Sequence, residues 1–189
     1  MAEAAGPDSQ GPVRQNAGPA SETEGRAETD LADRFRKAET GHANAAEIVY
    51  RFLMDRGVQR SDSTWISLHN LIGLAAESGL KSYLISHGIP VAELRKRGTG
   101  HDLETLHQMA ADIGLREEQG LIRQNELCDT LARIVEKLVP DHGAYIYRYI
   151  EGDEVTLPDA GQAIETTIAA LRALTDLVSV RLGQVARQN

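Results

Sequence analysis

Leu74-Ala75-Ala76-Glu77-Ser78-Gly79-Leu80-Lys81-Ser82-Tyr83-Leu84, a short basic loop, and then Gly100-His101-Asp102-Leu103-Glu104-Thr105-Leu106 is the stretch that decides how this chain folds. In the first half apolar and small residues recur at three- and four-residue spacing, the period of an amphipathic helix. Glu77 precedes Lys81 by four positions, the orientation that favours an ion pair along a helix surface. The second half is a helix start. Gly100 frees the turn, Asp102 can accept from the orphan N–H groups, and Leu103, Leu106, Ala110 and Ile113 follow on one face.

Outward from this hairpin the helical pattern continues in both directions. Ala45, Ile48, Val49, Phe52 and Leu53 are expected to line one face of a helix ending near Gly57, with the part before Gly41 as a separate turn. The polar cluster Gln59-Arg60-Ser61-Asp62-Ser63 supplies a cap for a long helix from about Thr64 to about His87, stopped by Gly88 and Pro90. Gly73 and Gly79 cost that helix of order 1 kcal/mol each relative to alanine, so another backbone is expected to pack closely there. The loop from Arg95 to Gly100, with two glycines, is expected to be mobile. It leads to a helix ending around Gly114. A further helix carries Leu127, Leu131, Ile134, Val135 and Leu138 and stops before Pro140. Residues 144–150 alternate in polarity, but one strand alone has nothing to pair with, so an extended segment or a helical turn is expected. Pro158 suits a first helical position, and Ile164, Ile168, Leu171, Thr175, Val178, Leu182 and Val185 continue for many turns. The fold class that follows is all-α, a mostly antiparallel bundle of about five helices.

The 189 residues suffice for one domain with a sizeable core. Residues 1–30 are alanine, glycine, proline, serine, glutamine and acids, which cannot offset ordering entropy, and read as a disordered acidic leader to a domain over 31–189. A formal net charge of -8 argues against a stand-alone nucleic-acid binder, which needs a basic face. Cys128 is the single cysteine, so no internal disulfide framework exists, and a reducing compartment, the cytoplasm, is expected. No run approaches a membrane span and no secretion signal is legible.

The helix bearing Glu77, Leu80, Lys81 and Leu84, the Gly100-His101-Asp102-Leu103 turn and the later Tyr147-Arg148-Tyr149 segment together resemble the HEPN superfamily (higher eukaryote and prokaryote nucleotide-binding). The resemblance runs roughly from residue 43 to 180 as a pattern of helices. It implies a helical bundle that forms homodimers, with the glycine-bearing second helix or the long last helix as the expected seam. It implies a non-catalytic or weakly nucleotide-binding module, acting with a separately encoded nucleotidyltransferase or another partner in bacterial defence or stress. Its expected ligand contacts are Glu77, Lys81, Asp102, Tyr147, Arg148 and Tyr149. No cofactor is expected.

A second function follows from Arg95 and His101, five residues apart between them, the pattern of ribonuclease members of that superfamily. A neutral histidine could take the proton of a ribose 2′-hydroxyl while an arginine stabilises charge developing on phosphorus, a metal-independent, toxin-like endoribonuclease with an antitoxin partner. The plain alternative is that Asp102 caps the helix and Arg95 is solvated. Arg36 and His42 repeat the spacing more weakly. Glu77 and Lys81 read equally as a surface ion pair, and Arg148 between two tyrosines reads either as a phosphate or base contact or as a core-closing segment. His69 is expected in the core. Glu104 and His107 match half of a di-iron motif without a second copy, and Cys128 reads as an inert packing residue, so no metal is expected. A purely structural interaction protein is the third reading.

Overall fold

The computed structural model describes residues 19–59, 62–96, 98–117, 124–138 and 163–188. These residues form α1 (Pro19–Arg56), α2 (Ser63–Ser86), the single turn α3 (Val91–Leu94), α4 (Leu103–Ala110), α5 (Gln124–Leu138) and α6 (Ala163–Gln188). No strand occurs among them. The expected all-α helical bundle is therefore the architecture.

Helix α2 is its axis. It touches α1, α4, α5 and α6, and most of its residues from Trp65 to Ile85 are buried. Asp62, one of the polar cluster expected to supply its cap, starts it, its carboxylate accepting from the Thr64 N–H at 2.8 Å. At its other end Gly88 adopts φ +85°, a left-handed value costly for other residues, and the Ile89 N–H returns to the Leu84 carbonyl at 3.0 Å. The connection to α1 is short and the two helices pack along their length, which makes them an antiparallel hairpin. Trp65 donates its indole N–H to the Val58 carbonyl at 3.3 Å, and Ser82 donates to the Ala32 carbonyl at 2.6 Å. Leu68, Leu80, Tyr83 and Leu84 of α2 meet Leu103 and Leu106 of α4, Leu131 of α5, and Leu171 and Leu174 of α6 in one fully buried core. Each such leucine contributes about 1.5–3 kcal/mol relative to exposure.

Several expectations are corrected. Helix α1 begins at Pro19, so residues 19–30 are helical where a disordered leader was predicted; the rest of that leader lies outside the described residues. The helix also runs unbroken through Gly41, with no separate turn. Local ion pairs stiffen its start: Asp33 binds Arg36 at 2.7 Å and Lys37 at 2.6 Å, and hydrogen bonds first from Lys37 and then from Arg36 hold its carboxyl below the usual range.

The buried face of α1 is rotated from the predicted one. Ala32, Glu39, Ala43, Ala46 and Leu53 face the bundle, whereas Ile48 and Phe52 are 70% and 51% exposed. Small alanines admit α2 at close range where isoleucine and phenylalanine would hold it off.

The close approach predicted at Gly79 is made by side chains, not by a second backbone. A Cβ built there would lie 2.9 Å from Leu174 Cδ2 of α6 and 3.1 Å from Glu39 Cγ of α1. Gly41, by contrast, would meet nothing within 4 Å. The same substitution is therefore expected to have opposite signs. Gly41→Ala should stabilise by about 0.5–1 kcal/mol through helix propensity, while at Gly79→Ala overpacking of about 1–3 kcal/mol outweighs that gain. Urea midpoints of the two variants moving in the same direction would contradict the packing described. Gly73 is also buried.

Helix α4 passes into a π turn, Ala111–Leu115, in which Gly114, the expected helix end, adopts φ +116°. The loop before α4, predicted to be mobile, is tied by Thr99 and Gly100 N–H groups to the Lys96 carbonyl at 3.0 and 3.1 Å and by the Asp102 N–H to Thr99 at 3.3 Å. Residues 144–150 and Pro158 lie outside the described residues.

Candidate functional site

Three of the residues singled out in the sequence meet where the loop before α4 folds onto α2. Glu77 and Lys81 lie one turn apart on α2, their side chains only 10% and 9% exposed, with Nζ 2.7 Å from Oε1. The pair is thus an interior one, not the solvated surface pair that was the alternative. His101, about half exposed, reaches in from the loop and sets Nδ1 3.0 Å from the same Oε1. One carboxylate oxygen accepts from both an ammonium and an imidazole. On its far side Lys81 faces the ring of Phe35 from α1, Nζ 5.8 Å from the centroid, within cation–π range.

This arrangement is dictated locally. The helical period puts residues 77 and 81 on one face, and the hydrogen-bonded turn over 96–102 delivers His101 one position before the α4 cap. Asp102 is that cap. Its Oδ1 accepts from the N–H groups of Glu104 and Thr105 at 3.0 and 3.2 Å, and Oδ2 accepts from the Thr105 hydroxyl at 2.9 Å. Its carboxylate occupies the positive end of α4, which leaves that end no vacancy for an external anion.

With Nδ1–H donated to Glu77, the lone pair of neutral His101 belongs to Nε2. Chemically the cluster can therefore present an oriented imidazole beside an ammonium whose charge is offset by Glu77. Arg95 is exposed at the C-cap of α3, and Lys96 of the same basic run pairs with Glu93. Neither Arg95 nor Asp102 joins the cluster directly. Tyr147, Arg148 and Tyr149 lie outside the described residues, as does Arg97.

The remaining candidates have structural duties. Arg36 pairs with Asp33, and His42 follows on the same continuous helix, about 120° around its axis at 3.6 residues per turn. His69 is buried as predicted, Nδ1 2.7 Å from the Trp65 carbonyl. Glu104 is exposed while His107 is buried, so the half di-iron motif does not converge. No group of three metal-ligating side chains is assembled among the described residues.

Cys128, expected to be an inert packing residue, is buried, and His107 Nε2 lies 3.6 Å from its sulfur. The contact comes from packing of α4 against α5 and joins residues 21 apart, a spacing no local motif announces. It does not activate the thiol. Nε2 also lies 3.2 Å from the Cys128 carbonyl, so that nitrogen carries the proton and donates it there. Burial lowers the His107 pKa and pushes the Cys128 thiol up, the directions opposite to those of a thiolate–imidazolium pair.

Sequence reasoning missed Glu39. It is fully buried among α1, α2 and α6, where its Oε2 is hydrogen-bonded to the Thr175 hydroxyl of α6. Its position on the alanine-lined face of α1, opposite Gly79 of α2, was the available signal.

The class defined by this fold and site is an all-α bundle with a desolvated carboxylate–ammonium pair, joined by histidine, between α2 and the α4 turn. No family model, curated protein or solved structure matches the chain. No helix among the described residues is long and apolar enough to cross a membrane.

Proposed function

We propose that the protein is a HEPN-like helical module that binds a nucleotide phosphate weakly at Lys81 and His101 without cleaving it, and works as a homodimer beside a separately encoded partner such as a nucleotidyltransferase. The observation that carries this reading is the Glu77–Lys81–His101 cluster, in which an ammonium on α2 and an imidazole from the loop before α4 share one carboxylate oxygen. Lys81 keeps two N–H donors beyond the one given to Glu77, and His101, about half exposed, meets a phosphate as the imidazolium, giving Nδ1–H to Glu77 and Nε2–H to the ligand. Because Glu77 already offsets the cationic charge, affinity is modest. The net charge of -8 likewise disfavours long nucleic acids over small nucleotides.

Because the other helices cover most of α2, this reading moves the homodimer seam away from it. Among the described residues, the large apolar side chains available to it are Ile48, Phe52 and Met54 of α1 and Val180 of α6, each at least half exposed.

One observation favours the endoribonuclease alternative: a carboxylate that orients an imidazole through Nδ1, as a general base requires. That reaction also needs Arg95 at the phosphate. Equilibrium dialysis with AMP, ADP and ATP, beside incubation with structured and single-stranded RNA in EDTA, separates the readings. The module should bind a nucleotide and leave RNA intact, and His101→Ala should weaken binding roughly tenfold or more, the loss of one charge-assisted hydrogen bond of about 1.5–3 kcal/mol. RNA cleavage abolished by His101→Ala would transfer the case to the enzyme, and absence of both binding and cleavage would leave the structural interaction protein.

A further inference from the structure

We propose that the Glu39 carboxyl, enclosed by Gly79 of α2 and Thr175 of α6, is a proton-dependent latch: neutral, it lets α6 close on α1 and α2, and ionised, it draws water inward and loosens α6. The geometry is that of a group built to be uncharged. Glu39 is fully buried, and its Oε1 has no hydrogen-bond partner among the described residues. Its Oε2 contacts the Thr175 hydroxyl, which lies 3.3 Å from the Leu171 carbonyl one turn back on α6. When Oε2 bears the proton, it donates to Thr175 Oγ1, and that hydroxyl donates onward to Leu171, so a relay of two hydrogen bonds is complete. Loss of the proton to solvent forces the hydroxyl to turn toward Glu39 and give up Leu171. A bare carboxylate oxygen then remains in a dry interior, a costly state that hydration relieves.

Among the described residues no cation is placed to neutralise the ionised form. On α1 itself Arg36 is the nearest favourable charge, but it is bonded to Asp33. Helix α6 contributes Asp176, which opposes ionisation, and an Arg172 engaged with Asn44 and Glu47. Helix α2 presents Gly79, while its Glu77 and Lys81 are bonded to each other. Burial is the dominant influence and Asp176 adds to it, so the Glu39 pKa rises from an ordinary 4.5 to about 8 despite Arg36. Between those values the folded chain holds a proton that the unfolded chain has released. The latch is consequently at full strength below about 4.5, weakens as pH rises, and is lost through about 8. Release acts on the α1–α6 groove, a space of about 470 Å³ lined by Tyr50, Arg51, Ile168, Arg172 and Asp176 among others. Movement of α6 widens it.

Hydrogen exchange of the full chain at pH 6 and pH 9, corrected for intrinsic rates and read as α6 peptides against α4 peptides, tests the latch. Protection in wild-type α6 should fall relative to α4, by about tenfold for each pH unit from pH 6 up to the folded midpoint near 8, and level off above it. Glu39→Gln, neutral at every pH and nearly isosteric, should keep α6 equally protected at both. Parallel behaviour of α6 and α4 in the wild type, or the same pH-dependent loss in wild type and Glu39→Gln, overturns the proposal. Should Glu39→Gln not fold, the wild-type comparison of α6 with α4 alone decides it.

Discussion

Glu77→Leu is expected to destabilise the fold by about 3–5 kcal/mol, because it strips the buried Lys81 ammonium of its carboxylate in a site where both side chains are about nine-tenths covered. The Phe35 ring offsets only part of that loss. The reciprocal change should be milder. Lys81→Met leaves Glu77 its hydrogen bond with His101, which is half exposed and can bring solvent to the carboxylate. The double variant, apolar at both positions, should recover most of the lost stability or exceed the parent, since the attraction within a buried pair barely covers the cost of desolvating it. Urea unfolding of the three variants forms a double-mutant cycle. If Glu77→Leu changed stability by less than about 0.5 kcal/mol, the size of an ordinary surface substitution, the pair would be solvated and the candidate site would lose its foundation.

Leu171→Ala should cost about 2–5 kcal/mol. Leu171 is fully buried on the face of α6 that meets the core, and its carbonyl is the far end of the hydroxyl relay from Glu39. Val180, on the same helix but 60% exposed, provides the contrast: Val180→Ala should stay within about 0.5 kcal/mol. Denaturant midpoints with unchanged slopes are the readout. Near-equal midpoints would mean that α6 is not integral to the core, and the groove it forms with α1 would lose its wall.

Helix α2 was legible almost residue for residue because its signals are local. Asp62 caps it, Gly88 ends it, and the Glu77-to-Lys81 spacing lies within one turn, so each can be read without a partner helix. Asp102 was legible for the same reason. Ile48 and Phe52 were misassigned because α1 has apolar residues on more than one face, and which face is buried depends on what docks there. Alanines gave the weaker hydrophobic signal and the better packing surface. The predicted break before Gly41 failed for a related reason: ion pairs and burial on either side outweigh the roughly 1 kcal/mol that glycine costs a helix.

The candidate site divides along the same line. That Glu77 and Lys81 face each other follows from 3.6 residues per turn. That the pair is buried, that His101 joins it from 24 residues away, and that His107 touches Cys128 required the α3–α4 loop and α5 to dock. Glu39 is the extreme case, an acidic residue in a polar stretch of sequence that three helices enclose.

The chain by itself determined the all-α class, most helix ends and the pairs one turn apart, because hydrophobic period, caps and glycine conformations act over a few residues. Which face of α1 is buried, which charges are desolvated and which carboxyl holds its proton were decided only by tertiary structure, because burial is a property of the partners that cover a side chain.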